Sequence, residues 1–127
     1  MIHIDPRSSI PIYEQIIKQM KELCMKGILK SGEKVPSVRE LSIMIVANPN
    51  TVSKAYKELE REGVIETLRG RGTFVTETFQ NESDEEKIGM LKDQLKTIVV
   101  DAFYAGVKIV DIHKWISEIE KEMGGKK

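Results

Sequence analysis

Asn48, Asn50, Thr51, Ser53, Lys54 and Lys57 crowd one short stretch and interleave with apolar positions. Amide, hydroxyl and ammonium groups can hydrogen-bond to flat polar edges and neutralise anions, but they make no nucleophile–base pair. Arg39, upstream, adds a guanidinium that forks onto a phosphate or a guanine edge, as an asparagine amide forks onto adenine. Downstream, Arg69-Gly70-Arg71-Gly72-Thr73 carries two more guanidiniums. Its glycines permit positive φ and close approach to sugar and phosphate. The chemistry on offer is recognition of a nucleic acid rather than bond cleavage.

These groups need a scaffold. At about 100° per residue, Val52, Ala55, Tyr56 and Leu59 share one face of a helix of about 51–62 and must look inward. Asn50, Ser53, Lys54, Lys57 and Arg61 then look outward. Glu58, Glu60 and Glu62 load the C-terminal half, where phosphates repel them, so the N-terminal end leads with its free amides and positive dipole. Asn50 suits the N-cap and Gly63 the close. Whether Asn48 and Asn50 read an adenine edge or cap the helix is left open at this level.

Ser37-Val38-Arg39-Glu40 is a capping box that opens a helix of about 38–45. Arg39 sits in its first turn, where a surface ion pair with Glu40 or Glu33 is the competing role. Residues 1–9 read as an extended arm. Ile12, Ile16, Met20 and Leu23 mark a helix of about 11–27 with Pro11 in its first turn. Strands of about 64–68 and 73–76 flank the glycine turn, whose competing reading is a solvated hairpin. Helix, turn, groove-sized helix and basic hairpin, in that order, predict a winged helix-turn-helix over residues 10–77. The expected partner is double-stranded DNA. The fold class is mainly α with a small β-hairpin.

Behind a polar linker at 77–82, Ser83-Asp84-Glu85-Glu86 forms another capping box. Ile88, Leu91, Leu95, Ile98, Ala102 and Ala105 then step at heptad spacing. Ala105-Gly106-Val107 turns the chain, and Ile109, Ile112, Ile116, Ile119 and Met123 repeat the rhythm. Two helices this thin cannot bury both seams alone; they must pack on the front domain or on another chain. Residues 78–127 are therefore expected to form a two-helix dimerisation tail. Its interface would use Ile88, Leu91, Leu95, Ile98, Ala102, Ile112, Trp115, Ile116 and Ile119. A C₂ homodimer would place two recognition helices on half-sites about one DNA turn apart.

Bulk properties narrow the classes. The 127 residues carry 20 basic and 20 acidic side chains. A neutral chain does not coat nucleic acid by bulk attraction, so any affinity must come from local placement. Residues 1–77 hold 12 basic and 10 acidic groups, and residues 78–127 hold 8 and 10, a split too small to decide anything. Cys24 is the sole cysteine, which excludes an intrachain disulfide and reads as a small buried hydrophobe. No apolar run approaches ~18 residues and no basic-then-apolar leader is present, so a cytoplasmic chain without a membrane partner is expected. His3 and His113 lack ligand spacing to a cysteine or carboxylate; no metal, cofactor or catalytic residue is expected. The reading is not an enzyme.

The chain resembles GntR-family transcriptional regulators over about residues 9–77. The resemblance rests on Ser9 to Ile16 (SIPIYEQI), Gly32 to Leu41 (GEKVPSVREL), Asn48-Pro49-Asn50-Thr51-Val52, Leu59 to Ile65 (LEREGVI) and Gly70 to Val75 (GRGTFV). It implies that Arg39 contacts an operator together with Asn48, Asn50, Thr51 and Ser53, and that Gly70 enters the minor groove from the wing. It also implies homodimers on palindromic operators, usually repressing. The short tail is similar to that of the YtrA subfamily, whose helices serve mainly for dimerisation and whose members commonly regulate ABC-transporter operons. A small effector would have to use a pocket between the tail helices or at the domain junction.

Two departures from the family pattern carry structural expectations. Val46 stands where a glycine usually ends the second helix; a β-branched residue disfavours a left-handed turn, so a remodelled turn is expected. Lys108 stands where a Ser or Thr cap is expected on the last helix. The competing function is a winged-helix scaffold for proteins with only secondary DNA contact, against which stand the wing arginines and the outward polar face.

Overall fold

Ile16 and Met20 become the buried face of α1 (Ile12–Met25) in a computed structural model that describes residues 1–77 and 85–123. The polar segment 78–82 and the capping residues Ser83 and Asp84 lie outside the described residues. The chain divides into two compact units, Met1–Phe79 and Gln80–Lys127.

In the first unit α1 is followed by β1 (Lys34–Val35), α2 (Val38–Ile45), α3 (Pro49–Arg61), β2 (Ile65–Leu68) and β3 (Gly72–Val75). The core is a single cluster in which Ile16 and Met20 of α1 meet Leu41, Val52, Leu59 and Ile65. The expected hairpin pairs Ile65 with Val75 and Leu68 with Gly72. A third strand joins it: β1 pairs antiparallel with β3, Lys34 opposite Phe74 and Val35 opposite Thr73, giving the order β1-β3-β2. Val35 is buried, so this short strand closes the core beside the wing.

Four helices of the chain end in one pattern. After α1 the Ile28 amide reaches Leu23 O at 3.0 Å and that of Gly27 reaches Cys24 O at 3.1 Å. Val64 to Leu59 (2.9 Å) and Gly63 to Glu60 (3.0 Å) repeat it after α3. After α2 the same pair is Ala47 to Ser42 (2.9 Å) and Val46 to Ile43 (3.4 Å). This is the Schellman arrangement, which needs a left-handed residue at its corner. Gly27 and Gly63 supply it at φ 78° and 79°, and Val46 supplies it at φ 54°, ψ 56°. The expectation of a remodelled turn is thus corrected: the valine adopts the strained conformation, with its side chain 91% exposed.

The N-terminal arm is fastened to α1 by two glutamines. Gln19 accepts from the His3 amide at 2.8 Å and donates to the His3 carbonyl at 2.6 Å. Gln15, itself buried, accepts from the Asp5 amide and donates to the Asp5 carbonyl, both at 2.9 Å, and donates to Ile10 O at 2.8 Å. Ile2 and Ile4 consequently pack against the core.

The second unit contains α4 (Glu85–Tyr104) and α5 (Ile109–Glu122), joined through Gly106, where the same terminal pattern recurs as Val107 to Ala102 (2.9 Å) and Gly106 to Phe103 (3.1 Å). Lys108 occupies the N-cap of α5 with extended backbone and offers no side-chain bond; the Asp111 carboxylate accepts from its amide at 3.3 Å instead. Ala102 and Ile112 are the buried residues here, at 8% and 7% exposure. They are the most buried of the expected interface residues and leave little surface for another chain. Ile88, Leu91, Leu95, Ile98, Trp115, Ile116 and Ile119 are exposed. No helix among the described residues is long and apolar enough to cross a membrane.

Candidate nucleic-acid interface

Val52, Ala55, Tyr56 and Leu59 are buried along one side of α3, while Asn50, Lys54 and Lys57 on the other side are exposed and Thr51 and Ser53 half-buried. Asn48, not Asn50, is the N-cap: its Oδ1 accepts from the Asn50 amide at 2.8 Å, with Pro49 filling the first helical position. The Asn50 side chain is thereby released from capping. Asn48 keeps its amide NH₂ as a donor.

Tyr56 sets the pose of this helix. Its hydroxyl donates to Pro36 O at 2.6 Å, tying α3 to the residue just before the Ser37 cap of α2. Burial, with help from the charge of Glu40, pushes the phenol well above its ordinary range. Ser37 Oγ accepts from the Glu40 amide at 3.0 Å and the Glu40 carboxylate accepts from the Ser37 amide at 2.9 Å. The latter bond holds Glu40 below the usual carboxylate range. Arg39 stands exposed in the same turn. Its competing partners are occupied, Glu40 by Ser37 and Glu33 by the Lys30 amide at 2.9 Å. Among the described residues no side chain pairs with the Arg39 guanidinium.

Acids on the far half of α3 are also engaged. Glu58 binds Arg61, Glu60 accepts from Thr67 Oγ1, and Glu62 pairs with Lys21. Arg61, although outward, is thus committed to its own helix. One contact was invisible in the sequence: the Lys54 ammonium sits 3.9 Å from the centre of the Tyr13 ring, on the first turn of α1. Tyr13, Asn50, Ser53, Lys54 and Lys57 line one open groove.

At the wing, Arg71 N–H closes the turn onto Leu68 O at 2.8 Å, with Gly70 at φ 79°. Arg69, Gly70 and Arg71 are all exposed. Thr73 is not. At 8% exposure it faces inward with Val75, its hydroxyl 3.4 Å from that of Thr67. Strand alternation removes its side chain from the surface, so it leaves the set of candidate contacts. Among the described residues no cluster of three or more His, Cys, Asp or Glu side chains is placed to hold a metal ion.

The family described as "Bacterial regulatory proteins, gntR family" matches residues 12–75. The whole chain is 65% identical to the HTH-type transcriptional repressor YtrA of Bacillus subtilis (strain 168), covering 98% of that protein. A crystal structure of a transcriptional antiterminator from Listeria monocytogenes EGD-e matches with a TM-score of 0.90 at 44% identity, over 97% of this chain and 92% of that one. AraR(DBD) in complex with operator ORX1 matches with a TM-score of 0.52 at 26% identity, over 58% of this chain and 98% of that one.

Proposed function

The chain belongs to the GntR family of bacterial regulatory proteins and is a DNA-binding transcriptional regulator; from that premise we propose that it acts as a homodimeric repressor on a palindromic operator. The family is one of regulators rather than enzymes, and a protein acting on the chromosome works in the cytoplasm. The observation that carries the site assignment is the set of unpaired cations and amides on one unit. Among the described residues the guanidiniums of Arg39, Arg69 and Arg71 have no partner, and Asn50 and Lys57 stand outward on α3. The N-terminal turns of α3 read base edges, Arg39 and the wing grip phosphate, and Gly70 lies along the minor groove.

Pairing of two copies is supported by the tail. Seven of the expected interface side chains on α4 and α5 are exposed, each by about half. Fully burying a Leu or Ile is worth about 1.5–3 kcal/mol, and half of that remains to be gained here, so the set is worth about 5–10 kcal/mol per protomer and about 10–20 kcal/mol for the pair. That is enough to offset a loss of about 4–15 kcal/mol in translational and rotational freedom on association. A small effector would use the apolar depression at the α4–α5 turn, lined by Val99, Phe103, Val107, Ile109 and Ile112.

The test is selection of bound duplex from a random pool, followed by titration of the recovered duplex against a scrambled copy over a salt series. The expected outcome is a palindromic site, steep salt dependence and a specificity ratio of ~10³ or more. Arg39→Ala and Arg71→Ala should each weaken binding with the fold intact, and sedimentation should show a dimer at micromolar concentration. Equal affinity for the scrambled copy would favour the protein-scaffold reading. Equal competition by an RNA stem-loop would redirect the function to RNA.

A further inference from the structure

Lys34 of β1 points to the outer face of the sheet, since its neighbour Val35 is buried and successive strand residues alternate. Its cross-strand partner is Phe74, two residues from Gly72 and so on the same face. The end of the Lys34 side chain runs over Gly72. A β-carbon placed on that glycine would lie 2.8 Å from Cε, 3.4 Å from Nζ and 3.8 Å from Cδ. The missing side chain leaves a notch, and the lysine lies in it with its ammonium beside Gly72, the residue that follows Arg71.

The same ammonium is felt on α2, where its charge helps hold the Glu40 carboxylate down. Glu40 is nevertheless spoken for by the Ser37 amide at 2.9 Å, so it does not close a salt bridge with the lysine. No hydrogen bond or ion pair within the described residues engages the Lys34 nitrogen. A solvated cation thus stands between the turn that bears Arg39 and the turn that bears Arg71. We infer that Lys34 is a DNA-phosphate contact, joining the first turn of α2 to the wing in one continuous cationic strip. An ammonium is a compact point charge suited to phosphate, and from a strand outside the groove-entering helix it positions the duplex without reading sequence.

This assignment rests on the duplex-binding reading above, and its test separates the two. Full-length wild type, Lys34→Gln and Lys34→Arg are titrated with the recovered duplex and its scrambled copy over a salt series. One phosphate contact contributes about 0.9 to the slope of log K against log salt, hence about five-fold in affinity near 0.15 M salt. Lys34→Gln should lose about that factor per protomer on both duplexes, about 25-fold for a dimer, with the slope shallower by about 0.9 per protomer. Lys34→Arg should keep both slope and affinity. Wild-type behaviour of Lys34→Gln, or a loss confined to the recovered duplex, overturns the assignment. If wild type itself binds no duplex, the functional reading fails and takes this one with it.

Discussion

Replacing Val46 by glycine should stabilise the first unit. Three sister corners, Gly27, Gly63 and Gly106, hold the same hydrogen-bond pattern at φ 78°, 79° and 84°, whereas Val46 is the one residue other than glycine at positive φ among the described residues. Left-handed backbone costs an L-residue about 1–2 kcal/mol. The valine is 91% exposed, so glycine forfeits almost no burial. It does add about 0.4–1 kcal/mol of unfolded-state entropy to be lost, leaving a net gain of about 1 kcal/mol or slightly less. With a urea dependence of about 1–3 kcal/mol/M, the midpoint should rise by roughly 0.5 M at unchanged slope. Far-UV circular dichroism at fixed protomer concentration reads this, with Trp115 fluorescence reporting the second unit separately. The reciprocal Gly27→Val, where an added β-carbon meets nothing within 4 Å, should lower the midpoint by a similar amount. A Val46→Gly protein that is no more stable than wild type would refute the strain argument.

Tyr56→Phe should destabilise the first unit by about 1–2 kcal/mol, because Pro36 O loses its partner in a partly buried place; urea denaturation measures it. The raised phenol pKa adds a pH signature. The folded form retains its proton above the ordinary value near 10.0, so this contribution is complete below that pH and is lost as pH climbs through the folded value. Wild-type stability should therefore fall relative to Tyr56→Phe by up to about 1.4 kcal/mol per pH unit above pH ~10, and parallel curves would contradict it. Tyr13→Leu, which removes the ring beneath Lys54, should weaken duplex binding by about two- to five-fold, while Tyr13→Phe stays near wild type. Equal binding by the leucine variant would mean that the ring does not position the lysine.

What the sequence disclosed was what neighbours along the chain decide. The α2 capping box needs only Ser37 and Glu40, and the buried stripe of α3 needs only its own turns. Two misplacements were avoidable on the same footing. Pro49 prefers the first helical position, which makes Asn48 the cap, and the alternation of Thr73 with buried Val75 turns that threonine inward. Other features depend on contacts between distant segments. A two-residue β1 is too short to show alternation, and it exists because β3 offers Phe74 and Thr73 for pairing. The meeting of Tyr13 with Lys54 requires α1 to pack on α3. Ala102 and Ile112 looked like their exposed neighbours until the turn at Gly106 folded one helix onto the other.

The arm on α1 obeys a vernier. Four residues up a helix climb about 6.0 Å, and two residues along an extended chain span about 6.6 Å. Gln15 and Gln19 can therefore greet Asp5 and His3 as if the helix were a neighbouring strand, with the mismatch of about 0.6 Å absorbed by bond slack. The offset doubles at a further step, so a longer run of such amides would fall out of phase. A single residue inserted between His3 and Asp5 would spoil even this short match, because an odd step turns the second amide and carbonyl away from the helix.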